Sequence, residues 1–251
     1  MPEPIVTPTA EAPDTGLFSR FVGVLLSPRD TFAGVVRRPR WLGMLALIIL
    51  VTIACTGWFQ STTIGRQATL DEATRRIESF GVKLSDQQYQ QMEQQILNAP
   101  VWRLVLQSTA GVVIVTPLIL LLLAGILFAV FAVMGGDASF KQLFAVVVHA
   151  NAITVVQQLF ITPLNYARES LTSATNLAVF FPMLDEGSFP ARLLGMIDLF
   201  RVWWVMLLAV GLAVLYRRRT RSIALALFSV YAVLALAIAT VMAIIAARSA
   251  A

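Results

Sequence analysis

The chain has 251 residues, 58% of them hydrophobic and 13% charged, about half the charged fraction of an ordinary soluble domain. Lipid is therefore the expected solvent, and the basic excess, 19 Lys and Arg against 14 Asp and Glu, reads as loop topology and not as a nucleic-acid surface. A single cysteine, Cys55, excludes an internal disulfide, and one Cys with one His leaves too few ligands for a zinc centre.

Residues 1–15, "MPEPIVTPTAEAPDT", carry four prolines and three acidic residues, with too little apolar surface to offset ordering, so a disordered cytoplasmic tail is expected. No secretory signal peptide is evident, because the first long apolar run begins only near Trp41. Residues 16–40 space Leu17, Phe18, Phe21, Val24 and Leu25 as one face of a helix. After Ser27-Pro28 the pattern resumes with Phe32, Val35 and Val36, predicting amphipathic helices along the membrane surface or beneath a bundle.

The apolar runs predict an all-α, polytopic bundle with five transmembrane helices, at about 41–59, 104–134, 141–164, 193–216 and 222–247. Pro117 is a candidate kink in the second. Between the first two lies 60–103, predicted as a small extracytoplasmic helical hairpin. Its first helix is "LDEATRRIESFG", ended by Gly81, and its second is capped by Ser85 with Gln88 at capping-box distance. Two glycines close the second span, and Asp137 or Ser139 is placed to cap the third. The third should end before Pro163, and the "NLAVFFPML" stretch of 165–192 is too short to cross, so it should lie in the interface or dip back against the bundle.

With the N-terminus inside, ten Lys and Arg fall on the cytoplasmic side and eight on the other. The eight lie mostly in the 44-residue loop, which also holds five acidic residues, whereas the dense clusters at 37–40 and 217–221 share one side. The expected topology is a multi-pass protein of the cytoplasmic membrane, N-terminus in and C-terminus out. Arg37, Arg38, Arg40, Lys141, Arg217, Arg218, Arg219 and Arg221 are then candidate contacts to lipid headgroups or a partner. No internal repeat is visible, which argues against a common secondary-transporter architecture.

Three stretches, "SPRDTFAGVVRRPRW", "GGDASFKQLFAVVVHANAI" and "GMIDLFRVWWVMLLAVGLAVLYRRRTR", resemble the Yip1 family of five-span membrane proteins in its bacterial branch, over residues 27–245. The resemblance implies residues 41–248 as a Yip1-like membrane domain carrying the inserted hairpin, and a non-enzymatic protein. Eukaryotic members are associated with vesicle trafficking and Rab-type GTPases through a "DLYGP" motif. This chain lacks that motif, which argues against a Rab-like GTPase partner.

Polar groups inside the spans are the candidate functional residues. On an ideal helix turning about 100° per residue, Asn151, Thr154 and Gln158 share one stripe, Gln157 lies off it, and His149 points nearly opposite. The first reading is interhelical hydrogen-bond glue, with a polar cavity for solute or ions as the second. His149 is expected to bond a backbone carbonyl or face headgroup water, with a pH switch as the sharper alternative. Asp198 and Arg201, three apart, read as a structural ion pair or as a substrate or coupling-ion site.

"MGGD" misses the GxGD pattern of intramembrane aspartyl proteases at Met134, and there is no CxxC, HExxH, Walker A, GxGxxG or GxSxG. No catalytic, cofactor-binding or metal site is predicted. Two functions follow as expectations: a non-catalytic membrane organiser or scaffold acting on lipids, a membrane-protein partner or further copies of itself, and a small oligomeric transporter or channel using spans three and four.

Overall fold

Side chains as apolar as those of this chain hide from water in only two ways, inside the bundle or against lipid, and a computed structural model divides them between both. It describes residues 16–79, 82–185 and 188–249. The expected tail 1–15 and the helix stop at Gly81 lie outside the described residues. Within them the chain is helical: α1 Leu17–Leu26, α2 Pro28–Arg37, α3 Leu42–Ser61, α4 Thr63–Ser79, α5 Asp86–Leu97, α6 Val101–Val133, α7 Phe140–Ala150, α8 Ile153–Arg168, α9 Phe189–Met196, α10 Leu199–Leu215 and α11 Thr220–Ser249. A short 3-10 turn, Leu177–Phe180, precedes α9, and no β-strand occurs among the described residues.

Four stretches are long and apolar enough to cross a membrane: Leu42–Ser61, Val101–Val133, Phe140–Arg168 and Thr220–Ile245. The fifth crossing is α10, whose 17 residues rise about 25 Å, the short end of what a hydrocarbon core requires. Leu118, Leu122, Val233 and Leu234 on α6 and α11 are more than half exposed, a surface suited to acyl chains and not to water.

The Phe140–Arg168 stretch sits at the centre, far more enclosed than the other three long spans. Every side chain from Leu143 to Ala150 is buried, with α10, α6, α2 and α3 packed around α7. Small residues let these helices approach. Gly211 of α10 faces Val146 and Phe32, and a β-carbon there would stand 2.5 Å from Val146 Cγ1 and 3.0 Å from Phe32 Cε1. Phe32 and Val35 are thus core residues, so α2 is seated against the bundle, while Phe18 and Leu26 of α1 face outward.

Contacts at the helix ends fix the crossing order. At one end Trp41 meets Phe144 edge-on at 5.0 Å, Phe131 stacks on Tyr216 at 4.0 Å, and the Arg218 guanidinium donates to the Met134 carbonyl at 3.2 Å. At the other, Trp58 and Tyr166 lie 5.3 Å apart beside α4 and α5. The turn at 217–221 therefore lies at the end of the bundle opposite to the α4–α5 hairpin. We refer to these as the arginine end and the hairpin end.

Local chemistry sets most termini. Ser85 with Gln88, and Ser139 with Gln142, each form a reciprocal capping box. Gly135, at φ +77°, ends α6 in a Schellman arrangement, with the Gly136 N–H on the Phe131 carbonyl at 2.8 Å. Arg217 takes the equivalent left-handed position after α10, at φ 51°, and the Arg218 N–H reaches the Ala213 carbonyl at 3.0 Å. In the hairpin, Arg66 bonds the Leu97 and Ala99 carbonyls at 2.9 and 3.2 Å, satisfying orphan acceptors at the end of α5. The first hairpin helix starts at Thr63, before Leu70 as read from sequence, because the Thr62 hydroxyl accepts the Gly65 N–H at 2.9 Å.

Three sequence expectations need correction. The third span is not one helix ending before Pro163: it breaks at Asn151-Ala152, and α8 then runs through Pro163 to Arg168. Proline removes one N–H donor, a loss that a membrane helix can absorb when flanking turns hold. The fourth span is likewise divided, into α9 and α10, at Ile197-Asp198.

Candidate intramembrane polar site

The break in the third span is made by a tightened turn. The Asn151 N–H bonds the Val147 carbonyl at 3.1 Å, and three bonds after it step back only three residues, Ala152 to His149 at 3.1 Å, Thr154 to Asn151 at 3.0 Å and Val155 to Ala152 at 3.0 Å. The Thr154 hydroxyl donates to Asn151 Oδ1 at 3.3 Å, which leaves the amide N–H2 of Asn151 for other acceptors.

This turn resets the helical phase, so angles counted from His149 do not carry into α8. The stripe predicted for Asn151, Thr154 and Gln158 is accordingly corrected: Asn151, Thr154 and Gln157 line one partly open cavity of about 220 Å³, together with Phe200, Arg201 and Trp204 of α10. Gln158 instead accepts a 3.5 Å contact from Thr162, one turn along its own helix. His149 joins neither group. Its side chain is fully buried and its Nδ1–H donates to the Ala145 carbonyl at 2.8 Å, the carbonyl being able only to accept.

Asp198 is the N-cap of α10. Its Oδ1 accepts the backbone N–H groups of Phe200 at 2.9 Å and Arg201 at 3.2 Å. Its Oδ2 accepts the hydroxyls of Ser173, at 3.2 Å, and Thr175. Around it the loop and the helix break pair as backbone, Leu177 N–H to Ile197 O at 2.9 Å and Leu199 N–H to Thr175 O at 3.1 Å. Non-helical backbone near a membrane interior must satisfy itself in this way. The Tyr231 hydroxyl of α11 takes the Met196 carbonyl, covering the other side of the break.

The predicted Asp198–Arg201 ion pair is not formed among the described residues. Arg201 meets Asp198 through its backbone, and its guanidinium has no hydrogen-bond or ion-pair partner among them. The neighbouring Trp204 indole N–H is buried and also unpartnered. Trp204 went unnoticed in the sequence, although its place three residues after Arg201 puts it on the same helix face. Ser173 and Thr175 carried no signal of their own, being ordinary loop hydroxyls until the fold brings them to Asp198.

The basic residues gather at the arginine end. Arg37 folds back onto the Ala33 carbonyl at 3.1 Å, Arg218 is engaged with Met134, and Lys141, Arg217, Arg219 and Arg221 are exposed there. Arg38 and Arg40 lie at the exit of α2, where Arg20 donates to the Arg40 carbonyl at 3.1 Å. Among the described residues no cluster of three or more His, Cys, Asp or Glu side chains is placed to hold a metal.

No curated protein and no solved structure matches the chain. A family model, the Yip1 domain, matches residues 22–243, from within α1 to within α11. That match spans the seated amphipathic helices, both broken crossings and most of the last helix, so the chain belongs to the Yip1 domain family.

Proposed function

We propose that this Yip1 protein is a non-catalytic organiser of the cytoplasmic membrane, with its N-terminus and arginine end in the cytoplasm and its C-terminus outside. The observation that carries the reading is the docking of α2: Phe32 and Val35 sit in the core while the flanking cationic residues stand at the same end as Lys141 and 217–221. An amphipathic pair fixed to a bundle transmits force between leaflet and spans, which a floating arm cannot. Anionic headgroups, a membrane-protein partner or another copy of the chain are its targets, through Coulomb attraction at about 1 kcal/mol per basic residue near the surface. A Rab-like GTPase has no motif here to engage.

The test is gentle solubilisation followed by identification of what remains bound. Retained anionic lipid or a stoichiometric membrane-protein partner is expected, with loss when Arg217, Arg218, Arg219 and Arg221 are changed to Gln. A monomer with neither lipid preference nor partner overturns the reading.

A second reading, a small oligomeric transporter or channel, draws on the cavity between α8 and α10 at two broken helices. Flux in proteoliposomes for the wild type, Asp198→Asn and Gln157→Leu decides it. Identical leak in all three rejects transport.

A further inference from the structure

The cavity beside α10 brings a cationic side chain together with two side-chain amides. Among the described residues its one charged side chain is Arg201, whose guanidinium presents five N–H groups in a planar fork. Trp204 lines the space as a residue, while its indole N–H is buried without a partner. Asn151 has its oxygen occupied by Thr154 and keeps its N–H2 free, and Gln157 supplies a second amide. Among the described residues no carboxylate lines the space. The nearest, Asp198, has both oxygens consumed by two backbone N–H groups and two hydroxyls.

Depth sharpens the problem. Asn151 lies roughly 17 Å along the third crossing from Phe140, and Arg201 roughly 21 Å along the fourth from Leu215, in a hydrocarbon core about 30 Å thick. A guanidinium at that level calls for polar company, and among the described residues none of its N–H groups has a partner, the carboxylate of Asp198 one turn away being turned to other donors. A guanidinium fork with converging N–H donors matches the oxygens of a phosphate. The cavity has room for about seven waters at about 30 Å³ each, enough for a phosphate with a small polar substituent.

We propose that Arg201, Asn151 and Gln157, with Trp204 as one wall, form a binding site for a phosphate-bearing anion. The anion is either the headgroup of an anionic lipid drawn into the bundle from the side or a small phosphorylated solute. In both cases Arg201 neutralises the charge, the amides hold the remaining oxygens, and the break at Asn151 exposes the amide that completes the set of donors.

The experiment is thermal unfolding of the full chain in a neutral detergent with two separate additions: phosphatidylglycerol in mixed micelles, and glycerol phosphate in solution. At least one addition is expected to raise the wild-type Tm by roughly 5 °C or more near saturation. A response to the lipid alone identifies a headgroup site, and a response to glycerol phosphate alone or to both identifies a site open to soluble phosphate. Arg201→Gln should lose the shift, Arg201→Lys should keep part of it, and the quadruple Gln variant of the 217–221 turn should keep all that comes from the cavity. Should Arg201→Gln fail to fold, Gln157→Leu removes one amide donor and is expected to shrink the shift. No shift in the wild type, or an equal shift in Arg201→Gln, overturns the proposal.

Discussion

The side-chain amide of Gln142 donates to the carbonyl of Val36 at 3.1 Å, joining the start of the central crossing to the end of the docked amphipathic helix. The same side chain closes the capping box of α7, its Oε1 accepting from the N–H and hydroxyl of Ser139 at 3.0 Å each. One residue thus performs two tasks that substitution can separate. Gln142→Glu keeps an acceptor for the cap but cannot donate to Val36, whereas Gln142→Ala loses both. Each lost bond is worth about 1 kcal/mol, so Gln142→Glu and Gln142→Ala should each speed amide exchange in α2 roughly fivefold, with α7 affected only by Ala. Hydrogen–deuterium exchange with mass spectrometry reads both helices at once. Unchanged exchange in α2 for both variants would show that its seat does not depend on this bond.

Gly211 marks the closest approach of α10 to α2 and α7. A methyl group there meets Val146 Cγ1 and Phe32 Cε1 at distances their buried positions cannot relax, since both side chains are fully enclosed. Overpacking of this kind costs about 1–3 kcal/mol, more than the roughly 1 kcal/mol that alanine gains over glycine in a helix. Gly211→Ala should therefore lower the Tm in detergent, and adding Val146→Ala should recover part of the loss. Gly111 of α6, with open space where a β-carbon would go, supplies the control: Gly111→Ala should be neutral or stabilising.

These two contacts differ in how far the sequence announced them. Ser139 and Gln142, or Ser85 and Gln88, are legible as caps because the chemistry is local: hydroxyl and amide stand three residues apart and need nothing from the rest of the chain. The paired glycines before Asp137 are legible for the same reason. The breaks at Asn151 and Asp198 are not, because hydropathy runs through both and what holds them open is assembled from distant segments. Asp198 becomes a helix cap only when Ser173 and Thr175 arrive to share its carboxylate. A helix drawn straight through Asn151 also assigned Gln158 to the face that Gln157 occupies, an error of one residue that follows directly from the lost phase.

Asp198 offers the cleanest measure of the second break. Four donors converge on its carboxylate, two of them N–H groups in the first turn of α10, those of Phe200 and Arg201. Asp198→Ala strips all four and should cost about 2 kcal/mol or more. Asp198→Asn keeps a capping oxygen while giving up the charge, and should cost about half as much. On a chain of this size that is a Tm decrease of roughly 4–8 °C for Ala and 2–4 °C for Asn. If the carboxylate instead owed its place to the Arg201 guanidinium, Arg201→Gln would destabilise as much as Asp198→Ala; with the backbone carrying the bond, Arg201→Gln should leave the apo-protein Tm nearly unchanged.

The crossing order makes the last prediction, and it separates topology from orientation. In a Cys55→Ser background, cysteines are placed one at a time at Gln90 on α5, at Lys141 before the central crossing and at Arg219 in the basic turn, all exposed positions. A membrane-impermeant maleimide applied to intact cells should label Gln90→Cys, and should reach Lys141→Cys and Arg219→Cys only after permeabilisation. That pattern follows because Arg218 and Met134 meet at one end while Trp58 and Tyr166 meet at the other, with α10 as the crossing between them. The reverse pattern, with Lys141→Cys and Arg219→Cys labelled from outside and Gln90→Cys protected, keeps five crossings but inverts the protein, and would remove the cytoplasmic leaflet as the target of α2. Labelling of Gln90→Cys together with Arg219→Cys would mean that α10 does not span the membrane, since no odd number of crossings then separates the hairpin from the basic turn.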